Sequence, residues 1–173
     1  MENRLLIKDG SLTTPPDNCD LINGNAVQRP QQDERITTVL TRLQQIAQKF
    51  KLTNKPLDTV HGQFEKYEFP GTPKTVLFPA FSVSKKNSVD PDWVADFVTG
   101  NTDPIAFGVK PWIYKEAGVT EYWVIDAEKK KLYLYNFNKN GLVPEIIDSP
   151  RRIKAGIYNG LYVSYSDLFA EQN

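Results

Sequence analysis

The chain has 173 residues, 40% of them hydrophobic, and its 21 basic and 21 acidic side chains leave a formal net charge of zero. That length suits one globular domain, and the charge balance argues against a dedicated high-affinity nucleic-acid binder while leaving room for a local basic patch. A single cysteine, Cys19, excludes an internal disulfide and a cysteine-built zinc cluster, and a single histidine, His61, excludes a histidine-rich metal site.

Residues 1–17 read as a polar arm containing Thr13-Thr14-Pro15-Pro16, with a short strand expected at Leu5–Ile7; residues 18–173 read as the domain. The opening MENRLLIKDG has no signal-peptide core, and no apolar run approaches the ~20 residues that span a bilayer, so a cytoplasmic protein is expected. Leu21-Ile22 and Ala26-Val27 flank Asn23-Gly24, a dipeptide that favours a two-residue hairpin turn. From Asp33 to Lys51, Ile36, Val39, Leu40, Leu43, Ile46, Ala47 and Phe50 recur at threes and fours and predict an amphipathic helix. Thr59–Glu68 and Thr75–Val83 read as strands, punctuated by Pro70-Gly71-Thr72-Pro73.

Asp92–Thr99 is apolar and β-branched and reads as a central strand; Gly100–Gly108 reads as a loop. Val109–Ala117 predicts a short helix that tolerates Pro111 in its first turn and ends at Gly118. Strands are expected at Glu121–Ile125, Lys131–Phe137, Val143–Ile147 and Tyr158–Val163, with a closing helical turn at Asp167–Ala170. One long helix, several strands, a short helix and more strands point to an α/β (α+β) mixed β-sheet flanked by helices. An exposed edge of that sheet could receive a second copy of the chain.

The chemistry-bearing stretch is 92–126. It sets a carboxylate, Asp96, on an apolar strand, then a polar loop, then Lys110 at the mouth of the short helix, 14 residues on (110 − 96). Phosphodiester hydrolysis uses such parts: carboxylates for Mg²⁺, and a cation that orients or deprotonates the attacking water. An Asp and a Lys at this spacing are common in any domain, so the pair alone reads more readily as a strand-end acid and a solvated helix lysine than as a reactive site.

Residues 91–126, PDWVADFVTGNTDPIAFGVKPWIYKEAGVTEYWVID, resemble the signature of the Uma-two family of the PD-(D/E)XK nuclease superfamily. Asp96 takes the family's strand-glutamate position, Thr99 and Thr102 the ends of its Ser-Pro-Ser-Thr stretch, and Lys110 and Tyr114 its Lys-x-x-x-Tyr spacing. Ala117-Gly118-Val119 and Glu121-Tyr122-Trp123 match outright. Asp20-Leu21-Ile22-Asn23-Gly24 resembles the family's early hairpin, and Gly160-Leu161-Tyr162-Val163 with Asp167-Leu168-Phe169 resembles its closing strand and turn.

The resemblance implies a restriction-endonuclease-like fold and a Mg²⁺- or Mn²⁺-dependent DNA endonuclease. Asp96 would hold the metal and Lys110 would assist the water; Thr99 and Tyr114 are placed to line the cleft, and packing suits Tyr114 equally well. In Leu77-Phe78-Pro79-Ala80-Phe81, Ala80 stands where the family has its other metal-binding aspartate. Cleavage is therefore expected to be low or absent unless Asp90, Asp92 or Asp103 replaces the missing ligand. The alternative is a catalytically silent relative that binds DNA or protein. Tyr122, Trp123 and alternating Tyr133, Tyr135 and Phe137 read as packing residues. Lys129-Lys130-Lys131 reads as a turn surface, Arg151-Arg152 with Lys154 as surface residues that could touch a phosphate backbone, and His61 as structural.

Overall fold

The computed structural model describes the backbone of residues 7–8 and residues 11–171, apart from 57, 63, 71–73 and 101–102. Leu5 and Leu6 of the expected arm strand, the turn at 71–73, and Thr102 lie outside the described residues. In the arm, β1 (Ile7–Lys8) pairs with β2 (Ser11–Leu12), and the Leu12 N–H donates to Gly24 O at 2.8 Å, tying the arm to the domain. β3 (Cys19–Ile22) and β4 (Asn25–Gln28) form the predicted hairpin. Asn23 and Gly24 both take positive φ, 49° and 76°, as a two-residue turn that matches strand twist requires.

The predicted helix is present as α1 (Glu34–Asn54). Asp33 caps it by accepting from the Ile36 N–H, and Ile36, Val39, Leu40, Leu43 and Ala47 form its buried stripe. The two long strands expected next are each broken in two. β5 (Thr59–His61) and β6 (Tyr67–Phe69) belong to different sheets, as do β7 (Thr75–Leu77) and β8 (Phe81–Ser84). The second break has a local cause. Pro79 has no N–H to give a ladder, and the Phe78 N–H goes to the Asp20 carboxylate at 2.9 Å instead of to a strand.

β9 (Trp93–Phe97) is the fully buried central strand expected. The loop after it is shorter than predicted, because Asp103 Oδ1 accepts from the N–H groups of Ile105 and Ala106 and starts a helical segment early. A π-helical turn over Ile105–Val109 runs directly into α2 (Lys110–Glu116), which closes at Gly118 with φ 84°. β10 (Glu121–Asp126), β11 (Lys131–Asn136) and β12 (Glu145–Ile147) match the strands predicted there. β13 (Arg152–Lys154), not foreseen, pairs with β14 (Tyr162–Ser164), which begins later than expected. Tyr158 sits in the turn between them, where its hydroxyl donates to Asp58. α3 (Tyr165–Phe169) ends the described chain, capped by Ser164.

Among the described residues the main sheet runs β12-β11-β10-β9-β8-β5, with β9 and β10 parallel and every other neighbour antiparallel. A smaller sheet runs β4-β3-β7-β6. Side chains alternate across the main sheet. Trp93, Ala95, Phe97, Trp123 and Ile125 pack under α1 and α3, while Val94, Val98, Tyr122 and Val124 pack with Tyr114 of α2 on the opposite face. The parallel pair is joined by the π-turn and α2, which lays that crossover on the second face. No described helix is long and apolar enough to cross a membrane.

Candidate active site

The position of Asp96 is set by the period of β9. It alternates with Val94 and Val98, so its carboxylate points to the face covered by α2. Lys110 is the first residue of α2 and reaches the same place, its Nζ 2.9 Å from Asp96 Oδ2. The expected convergence of the strand acid and the helix amine is therefore met in space. A third charged group joins them: Asp20 of β3 in the smaller sheet, whose Oδ2 lies 2.7 Å from the same Nζ. All three are nearly shut from water, at 1% exposure for Asp20, 7% for Asp96 and 6% for Lys110.

The surrounding hydrogen bonds hold this triad. Asp96 Oδ1 accepts from the Ala80 N–H at 3.3 Å, and Asp96 Oδ2 accepts from the Tyr122 hydroxyl at 3.3 Å. Asp20 Oδ1 accepts from the Phe78 N–H at 2.9 Å. The broken 75–84 segment thus gives one backbone N–H to each acid. Burial would by itself drive the Lys110 amine towards its neutral form, but Asp96 and Asp20 overcome this and hold its pKa above the ordinary range. Lys110 is therefore a fixed ammonium: it can neutralise or orient, but it is a poor proton acceptor at neutral pH. Burial raises the Asp96 carboxyl above its usual range, against the pull of Lys110 and with the help of Asp20 nearby. Desolvation raises the Tyr122 hydroxyl well above its usual range, so it stays a neutral donor.

A Mg²⁺ ion asks for carboxylate oxygens that face a common hydrated space. Here every carboxylate oxygen of Asp20 and Asp96 already accepts from an amine, an amide or a hydroxyl. Ala80, beside Asp96, supplies a methyl group and a backbone donor but no side-chain oxygen. Among the described residues no group of three or more His, Cys, Asp or Glu side chains could hold a metal ion. This donor set does not fit Mg²⁺ or Mn²⁺.

The other expected residues separate. Asp92 stands at the far end of β9, where it accepts from the Lys85 N–H at 2.9 Å and faces the Lys85 amine, away from Asp96 and Lys110. Asp103 does line the cleft above the triad, although one of its oxygens caps the π-turn. Thr99 is exposed beyond the strand end and is not part of the cleft wall. Tyr114 is not on the wall either. It is fully buried beneath the triad, its ring 4.9 Å from Tyr122 and 6.0 Å from Phe69.

The two members missed from sequence are Asp20 and Tyr122. Asp20 lies in the Asp-Leu-Ile-Asn-Gly segment, which read only as a hairpin. Its available signal was an acid leading an apolar pair on a strand, a place that water would not normally reach.

Residues 10–155 match the family Uma2, described as "Putative restriction endonuclease". A search of curated proteins finds no match. Among solved structures the fold is similar to a "putative nuclease belonging to DUF820" from Anabaena variabilis ATCC 29413, determined at 1.96 Å. That likeness has a TM-score of 0.71 at 14% identity and covers 88% of this chain and 89% of that one. The likeness establishes a shared fold, and the family match, which spans most of the chain, shows that this protein belongs to the Uma2 family.

Proposed function

We propose that this chain is a nuclease-lineage domain that receives nucleic acid in the cleft over Asp20, Asp96 and Lys110 but cleaves it weakly or not at all. The carrying observation is that all four carboxylate oxygens of the triad are occupied by donors, while Ala80 offers none. Two acids and one ammonium then act as a closed ion triad, each member satisfied by the others, and not as an open ligand set. Support for nucleic acid as the partner comes from the family to which the chain belongs and from the polar rim of the cleft, which includes Gln28, Arg29 and Gln32.

A Mg²⁺- or Mn²⁺-dependent DNA endonuclease is the second reading, and the meeting of Asp96 with Lys110 favours it. It requires Lys110 to release at least one carboxylate to the ion. A cleavage assay separates the two, using plasmid and single-stranded DNA with Mn²⁺ and comparing wild type, Ala80→Asp and Lys110→Ala. The expected result is little or no cleavage by wild type and a clear gain in Ala80→Asp. Robust wild-type cleavage, lost in Lys110→Ala, would establish the second reading instead.

A further inference from the structure

Two cations line the cleft among its described residues, Arg29 and Lys110. Lys110 is spent on two carboxylates. Arg29 is different. It comes directly after β4, where its N–H is held by Asn18 O at 2.8 Å, and its guanidinium is clamped between two aromatic rings, 4.5 Å from the centre of Phe64 and 4.8 Å from that of Phe78. Its Nη1 is closed off from water and has no hydrogen-bond partner.

A planar cation held against two rings is fixed in orientation, and here one of its N–H groups, Nη1, has no acceptor. Buried donors without partners are uncommon because they carry a desolvation penalty that nothing returns. Phe64, one of the clamping rings, also lines the cleft and has φ 59°, a left-handed conformation that phenylalanine adopts at a cost.

We infer that Arg29 is the phosphate-gripping residue of the cleft, pairing its guanidinium fork with the oxygens of a nucleic-acid phosphodiester. This rests on the reading of the cleft as a nucleic-acid site. Phosphate is the matching chemistry, because two oxygens of one tetrahedral group meet the fork and supply the charge that it lacks. The neighbouring Asp20, Asp96 and Asp103 would repel a phosphate on their own, so the cleft needs this cation to hold one.

The test measures binding of a labelled duplex and a labelled single strand by fluorescence anisotropy over a salt series, for wild type, Arg29→Met and Arg29→Lys. Arg29→Met should weaken binding about tenfold and lower the salt slope by about one. Arg29→Lys should keep the salt slope without restoring the affinity, and it serves if the methionine variant does not fold. Equal affinity for wild type and Arg29→Met, or wild-type affinity in Arg29→Lys, would overturn the inference. If wild type binds neither strand, the nucleic-acid reading fails by itself, and inorganic phosphate decides the rest. A melting temperature raised by phosphate in wild type, but not in Arg29→Met, upholds phosphate recognition; no rise in wild type overturns it.

Discussion

Single residues carry the charge logic of this protein, and Lys110 is the clearest case. One buried ammonium compensates two buried carboxylates, so removing it leaves like charges side by side in a dry place. Lys110→Met should cost about 3–5 kcal/mol at neutral pH, the range for breaking a buried ion pair, read as a lowered urea midpoint. The same picture gives the sign of its pH dependence. Burial already raises the Asp96 carboxyl, and without the cation nothing pulls it back, so the stability of the variant is fullest below about pH 4 and is lost as the pH rises. The gap between variant and wild type should therefore be smallest in acid and widen towards neutrality. A gap independent of pH would mean that packing, not charge, is the main role of the lysine stem.

At the scale of elements, the junction between β10 and the turn after β13 contains a further buried acid. Glu121 accepts from Trp123 Nε1, the Gly156 N–H and Asn136 Nδ2. The backbone at Gly156 comes so close that a Cβ there would sit 2.3 Å from both Glu121 Oε2 and Asn136 Nδ2, which explains glycine at this position. Burial lifts the Glu121 carboxyl to about 7, against the pull of these three donors. Its folded pKa thus lies above the ordinary 4.5, so the native state keeps a proton that the unfolded chain releases. This group contributes full stability below about pH 4.5 and loses it as the pH rises through about 7. The melting temperature of wild type should decline across that window. In Glu121→Gln that decline should shrink, while the variant starts lower because an amide N–H would face another donor. An unchanged decline in thermal scans would show that Glu121 stays ionised throughout.

For the whole molecule, the triad works as a rivet between two sheets. Asp20 comes from the smaller sheet, Asp96 from the larger one, Lys110 from the crossover helix, and both acids are bonded to the segment that passes from one sheet to the other. The two sheets should therefore unfold together. Leu21→Ala, at a fully buried position beside Asp20 in the smaller sheet, should cost about 2–5 kcal/mol and lower the protection of amides in both sheets equally. Hydrogen exchange that loosened only β3, β4, β6 and β7 would show that the rivet does not couple them.

The helix over 34–54, the Asn23-Gly24 hairpin, the buried strand holding Asp96 and the cap at Gly118 were all legible in the sequence. Each depends on neighbours within a few residues: an apolar period, a turn dipeptide, a positive-φ glycine. Even the meeting of Asp96 and Lys110 was foreseeable, since both lie in one strand-to-helix unit whose pattern resembles a known family. Three-dimensional folding alone decided that Asp20, 76 residues before Asp96 (96 − 20), completes the triad. It also split the strands at Phe78-Pro79, sent Tyr114 into the core and clamped Arg29 between Phe64 and Phe78. The reason is physical: a buried charge is tolerated only where distant segments bring its partners, and no local pattern encodes which segments those are.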